Sequence, residues 1–162
     1  MALTWGDVDF GRKIMHVQRQ VKNLFHKDAQ FSSPKTKYGI RNIPLSDRLT
    51  KYLQVHQEKQ SDMERIPGWQ DNDLIFTSSN GTIITYSHLR KTFKRILAAG
   101  ELPDIRLHDL RHSCATLLIE QGVNITAVSR ILGHSRPSVT LDFYGHLTSQ
   151  SFTEIKQIMG EI

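Results

Sequence analysis

The sequence predicts an α+β fold, mainly helical, with a small antiparallel β-sheet near the N-terminus. Three observations predict it. Ile14, His16 and Gln18 alternate with Met15, Val17 and Arg19, the period of a strand, and Ile40-Arg41-Asn42-Ile43-Pro44-Leu45 reads as a second strand ending at Pro44. From residue 87 onward the apolar residues recur at helical spacing between cap residues and glycines. The 162 residues, 38% hydrophobic and 23% charged, suffice for a globular core without a disulfide or metal staple.

The elements follow in order. Met1 to Trp5 is apolar without a helix start ahead of it, and Gly6 to Gly11 reads as a turn before the first strand. Phe25 to Lys37 is polar, contains Pro34 and reads as a loop or hairpin connection. Ser46-Asp47 caps a helix with Leu49, Tyr52, Leu53 and Val55 on its apolar side. Leu74-Ile75-Phe76 is a short strand closed by Ser79-Asn80-Gly81. Ser87 caps a helix with Leu89, Phe93, Ile96 and Leu97 on one face, Arg90, Lys91, Lys94 and Arg95 on the other, and Gly100 at its end. Leu110, Ala115, Leu117, Leu118 and Ile119 mark a core helix ending at Gly122. Ile125, Val128, Ile131 and Leu132 mark a short one ending at Gly133, and Pro137 to Tyr144 another. From Ser149, the residues Phe152, Ile155, Ile158, Met159 and Ile162 form an amphipathic tail helix. The organisation is a main domain over 1–148 and a terminal helix over 149–162.

Charge and cysteine content narrow the function. The net charge is +5, from 21 Lys and Arg against 16 Asp and Glu. Residues 1–50 carry nine cationic against four anionic side chains, whereas 101–162 carry five against seven. A polyanionic partner would therefore meet the first half. The single cysteine, Cys114, excludes an intramolecular disulfide and a multi-cysteine zinc site, and it reads as a buried small hydrophobe. No stretch has the length and apolarity of a membrane span, and a cytoplasmic protein is expected.

The chemistry concentrates in His108-Asp109-Leu110-Arg111-His112, where spacings of three and four put His108, Arg111 and His112 on one helical side. Taken alone the pair of histidines resembles half of a zinc motif, and a metal-dependent hydrolase using His108 and His112 is one reading. Asp109 is short for the general-base position, however, and Arg111 would oppose a divalent cation. Leu132-Gly133-His134-Ser135 follows, with His134 twenty-three residues after Arg111, and Tyr144 comes ten residues later. Upstream, Pro34-Lys35-Thr36-Lys37 precedes the second strand.

The ordered set His108-x-x-Arg111, Leu132-Gly133-His134-Ser135 and Tyr144, with the lysine-bearing segment and Leu3-Thr4-Trp5-Gly6-Asp7-Val8-Asp9, resembles the C-terminal catalytic domain of the tyrosine recombinase (phage integrase) family over almost the whole chain. A phosphodiester gathers charge on its nonbridging oxygens as it is attacked. Arg111 offers a planar fork of donors to them and His134 a further hydrogen bond. Tyr144 is a nucleophile able to form a covalent phosphoester, His108 a base for its proton, and Lys35 a proton donor to the leaving oxygen. Lys37, two residues on, is the alternative to Lys35. His112 and His146 read as packing or orienting side chains.

The resemblance implies these roles, with a 3′-phosphotyrosyl intermediate, a free 5′-hydroxyl and no cofactor. It also implies double-stranded DNA as partner, a tetramer of the longer protein on that DNA, and exchange of the C-terminal helix between protomers, although the helix folding back on its own chain is an equal reading. DNA-facing candidates are Lys37, Arg41, Arg90, Lys91 and Lys94. The family carries a further catalytic arginine ahead of the Leu-Thr-Trp segment, and Arg12 and Arg19 lie on the wrong side of it to match. The 162 residues by themselves are therefore expected to transfer strands weakly or not at all, since losing one such donor costs roughly 10²–10³-fold. A DNA-binding or assembly module without catalysis is the alternative that this arginine leaves open.

Overall fold

Strand alternation near the N-terminus produces a meander whose strands are short because turn residues interrupt it. The structure, a computed structural model, describes residues 2–23, 30–144 and 159. After a 3-10 turn at Trp5–Asp7 come β1 (Val8–Asp9), β2 (Ile14–Val17), β3 (Gln20–Asn23), β4 (Gln30–Ser32) and β5 (Arg41–Pro44). The antiparallel sheet has the order β1-β2-β5, with Met15 opposite Ile43 and Ile14 opposite Pro44. Pro44 sits on an edge strand, where its missing N–H costs no ladder bond. A separate antiparallel pair joins β3 to β4, and β4 lies within the Phe25 to Lys37 segment read as a loop or hairpin connection.

Five helices follow among the described residues up to Tyr144: α1 (Asp47–Met63), α2 (Tyr86–Ala99), α3 (Leu107–Glu120), α4 (Ile125–Leu132) and α5 (Pro137–Tyr144). The fold is thus the expected α+β one, mainly helical with small antiparallel sheets. The tail-helix expectation over 149–162 lies outside the described residues except for Met159, which is helical and exposed.

Residues 1–105 and 106–162 form two compact units. The core of the first joins Met15, Leu45, Leu53 and Ile75, with Trp5, Phe10 and Phe76 against them. Ser46 caps α1 as expected, accepting from the Leu49 N–H. The buried side of α1 is, however, rotated from the expected one: Thr50, Leu53 and Gln60 are buried, while Leu49, Tyr52 and Val55 are exposed. Polar side chains can face inward there because they have partners. Gln60 accepts from the Trp5 indole at 3.1 Å and donates to the Leu74 carbonyl at 2.8 Å. The His56 Nε2 donates to the Ile75 carbonyl at 2.6 Å. Leu74–Phe76 makes only an isolated bridge, Thr4 to Leu74, in place of the expected strand. Thr85, not Ser87, caps α2, because its side chain accepts from the His88 N–H and the helix starts two residues earlier.

Asp7 lies fully buried where the Leu-Thr-Trp segment meets the sheet. Its carboxylate accepts from the Thr4 N–H at 2.9 Å, the Thr4 hydroxyl at 3.1 Å, Gln18 at 2.8 Å and the Arg19 guanidinium at 2.9 Å. Burial pushes its pKa up, but the Thr4 and Gln18 donors and the Arg19 charge outweigh it and hold the carboxyl below its ordinary value. A depressed folded-state pKa gives stability that is complete above the unfolded pKa and is lost as pH falls through the folded one. Asp7→Asn is expected to lower the unfolding free energy at pH 7 by about 2–3 kcal/mol. Arg19 keeps 32% of its side chain in water, which holds the loss below that of a fully buried pair. Urea denaturation of both proteins checks this: the gap between them should close as the pH falls below the carboxylate range, and a constant gap would refute the assignment.

Candidate active site

The second unit is built on apolar positions of three helices: Ala115 and Ile119 of α3, Val128 and Leu132 of α4, and Tyr144 of α5. This cluster is small, so capping must fix the helix ends that carry polar groups. At the start of α3 the Arg106 N–H donates to the Asp109 carboxylate at 2.8 Å, and the Arg106 guanidinium reaches the same carboxylate at 2.8 Å. Those Arg106 donors hold Asp109 down to a pKa of about 2. An ionised carboxylate in the first turn also suits the positive end of the helix dipole. The first turn of α3, which presents His108, Arg111 and His112, is thereby anchored.

The α4 end is fixed by chain geometry. Asn124 accepts the Thr126 N–H at 2.8 Å at the start. At the other end Gly133 takes the left-handed conformation (φ 73°), and the Gly133 and His134 N–H groups donate to the Arg130 and Ser129 carbonyls. His134 is thus placed one residue past a fixed cap. The ring is held from the other side by Thr140 of α5, fully buried, whose hydroxyl lies 2.8 Å from His134 Nδ1.

The last residue of α5 closes the site. Tyr144 is 6% exposed, its ring in the apolar cluster and its hydroxyl 2.5 Å from His112 Nδ1. The His112 ring meets the Tyr144 ring at 6.1 Å between centroids and the His108 ring edge-on at 5.0 Å. Burial pushes the Tyr144 phenol pKa up, against the opposing pull of the Arg111 charge. Burial likewise pushes the Arg111 guanidinium down, partly offset by the phenol. His134 is pushed down first by burial and then by the charge of Arg111 and by His112 and His108. The five side chains His108, Arg111, His112, His134 and Tyr144 therefore share one electrostatic neighbourhood inside the second unit. It is a cluster that sets a guanidinium and three imidazoles beside a protonated phenol, a chemistry suited to an anion rather than to a metal. Among the described residues, no group of three His, Cys, Asp or Glu side chains is placed to hold a metal ion.

The other sequence-derived candidates lie in the first unit. Lys35 and Lys37 are exposed on the segment after β4, with the Lys37 ammonium 5.4 Å from the centre of the Tyr38 ring. Arg41 donates to the Gly39 carbonyl at 3.0 Å. Arg90 and Lys91 are exposed on α2, whereas Lys94 is engaged by the Asp104 carboxylate and the Ile105 carbonyl. Three readings of the sequence are corrected. Leu110 and Leu117 are exposed (46% and 61%), because the inner stripe of α3 runs through Ala115 and Ile119. Cys114, beside Ala115 on α3, is exposed rather than buried. The contacts of His112 with Tyr144 and of Thr140 with His134 are not visible in the spacing. The i,i+4 pair His108/His112 was the one available signal, while Thr140 offers none. His146 lies outside the described residues.

The profile of the phage integrase family matches residues 1–151. The chain is 31% identical over its full length to a tyrosine recombinase XerC-like protein of Caldanaerobacter subterraneus, covering 45% of it. It is 33% identical over its full length to the ICEBs1 integrase of Bacillus subtilis, covering 44% of it. The chain thus spans less than half the length of these curated relatives. In fold it matches the Tn1549 transposon integrase, solved in complex with transposon right end DNA, with a TM-score of 0.78 and 24% identity over 99% of this chain and 52% of that one. XerA recombinase matches with a TM-score of 0.66 over 98% of this chain. Among the described residues no helix is long and apolar enough to cross a membrane. On its sequence profile, its relatives and its fold, the chain belongs to the phage integrase family, the tyrosine recombinases.

Proposed function

We propose that this chain is the DNA-breaking and rejoining domain of a site-specific recombinase. The observation that carries the reading is the Tyr144 phenol, buried beside the Arg111 charge and hydrogen-bonded to a histidine of α3. Arg111 and His134 hold the nonbridging oxygens of the scissile phosphate and stabilise the charge that grows there. Tyr144 attacks phosphorus and forms a 3′-phosphotyrosyl bond, which stores the bond energy for rejoining without a nucleotide cofactor. A histidine of α3 takes the phenol proton, His108 in the role the resemblance implies. The leaving 5′-oxygen takes a proton from Lys35, or from Lys37 two residues away. Lys37, Arg41, Arg90, Lys91 and Lys94 are the cations we assign to the phosphate backbone of double-stranded DNA. The working unit we assign is a tetramer on DNA, with residues 149–162 either exchanged between protomers or folded back on their own chain.

Covalent trapping tests the reading. The chain, preceded by the corresponding N-terminal segment of the ICEBs1 integrase to supply the arginine that the resemblance places ahead of the Leu-Thr-Trp segment, is incubated with a randomised library of nicked duplexes in the presence of a chelator. A denaturant-resistant protein–DNA adduct is expected, with the 3′ end of the DNA attached to the peptide containing Tyr144. No adduct, an adduct dependent on divalent metal, or attachment elsewhere would overturn it.

A further inference from the structure

We infer that His112, rather than His108, takes the proton from Tyr144 as the phenol oxygen attacks phosphorus. The inference rests on the proposed strand-cleavage reading and specifies its proton path. His112 Nδ1 stands 2.5 Å from the phenol oxygen, and the two side chains come from α3 and α5. The phenol is 6% exposed, and burial keeps it protonated, so attack needs an acceptor inside the site. Arg111 has no lone pair to serve. His134 already has its Nδ1 on the Thr140 hydroxyl. The His108 ring meets the His112 ring edge-on at 5.0 Å between centroids.

The groups facing His112 make the transfer reasonable. From α3 they are His108, Arg111 and Asp109; from the turn after α4, His134; from α5, Tyr144. Asp109 is ionised at neutral pH and attracts the imidazolium that forms. Arg111 opposes that charge, but a bound phosphate would neutralise Arg111 first. In the ground state the neutral His112 carries its proton on Nε2, and Nδ1 accepts from the phenol O–H. During attack the O–H proton moves to Nδ1, the Tyr144 oxygen bonds to phosphorus, and the bond from phosphorus to the 5′-oxygen breaks. The released 5′-oxygen takes its proton from the lysine of the β4–β5 segment. Rejoining runs the same path backward, and His112 returns the proton to the departing phenolate.

Two measurements test this. In the 162-residue chain labelled with 15N-histidine, NMR should show neutral His112 as the Nε2–H tautomer. Tyr144→Phe should move its Nδ1 resonance while leaving that of His56 in place. An Nδ1–H tautomer, or a His112 resonance indifferent to Tyr144→Phe, would overturn the inference. The second measurement uses the extended protein of the trapping assay. His112→Asn keeps an amide near the Nδ1 position but takes no proton. It should slow cleavage by about 10²–10⁴-fold and flatten the acid limb of the pH–rate profile, while melting temperature and DNA binding are retained. His108→Gln should keep the acid limb. An acid limb that survives in His112→Asn, or that disappears in His108→Gln, assigns the proton elsewhere. Should His112→Asn fail to fold, the NMR tautomer decides. An absent adduct in the wild-type extended protein overturns the cleavage reading instead, and the NMR result stands apart from it.

Discussion

Tyr144→Phe is expected to abolish covalent attachment to DNA while leaving the protein folded and DNA-competent. The two halves of that outcome come from different atoms of one residue. The ring packs with Ala115, Ile119, Val128 and Leu132, and Phe fills the same volume without new strain. The hydroxyl carries the bond to His112 and, in the proposed mechanism, the nucleophile, and both disappear. Loss of one hydrogen bond to a group that retains other neighbours costs about 1 kcal/mol, which a melting curve detects as a small downward shift. Loss of the only oxygen able to attack phosphorus from this position has no partial form, since Phe cannot form a phosphoester. In the trapping assay the adduct should therefore fall below detection, while gel-shift affinity for the same duplex changes by less than about threefold. An adduct of undiminished yield would place the nucleophile on another residue. A large melting shift would mean that the hydroxyl, rather than the ring, holds the second unit together.

How much of this was legible in the sequence depends on whether a signal is local. The caps at Ser46 and Gly133, and the bounds of α4 and α5, follow from short-range chemistry and appear where the residues place them. Thr85 and Ser87 are both competent caps two residues apart, and only the geometry of Ile84–Tyr86 decides between them. The inner face of α1 was misread because apolar counting favours Leu49, Tyr52 and Val55. Gln60 turns inward because a distant carbonyl and an indole meet it there, and Thr50 does so with its hydroxyl on the Ser46 carbonyl. The same holds for the candidate site. Arg111, His108, His134 and Tyr144 stand out by motif and order. That His112 rather than His108 meets the phenol depends on how α5 packs on α3 across 32 residues of chain, which no local pattern encodes.

Arg111→Ala should produce the largest loss that leaves the nucleophile in place, about 10²–10³-fold in cleavage rate. In the proposed mechanism the guanidinium acts on three partners, the phosphate, Tyr144 and His134, each with a defined sign. A phosphate loses a planar pair of donors at the oxygens where charge develops, which Lys, a point charge without the fork, restores only in part. Arg111→Lys should therefore recover some of the rate but not all of it. The Tyr144 phenol loses the positive charge that opposes its burial, so its pKa rises further and it becomes a poorer nucleophile. His134 loses a charge that helps push its pKa down, so it protonates at higher pH than in the wild type. That last effect needs neither DNA nor turnover. An NMR titration of the His134 ring in the 162-residue chain should show its midpoint moving upward in Arg111→Ala and staying near the wild-type value in Arg111→Lys, where the charge remains. A midpoint unmoved by Arg111→Ala would mean that the guanidinium does not face His134, and the shared anion site drawn from Arg111, His134 and Tyr144 would fall with it. An upward shift in Ala alone, paired with a rate loss that Lys only partly repairs, separates the two contributions of Arg111: its charge sets the protonation of the site, and its fork holds the phosphate.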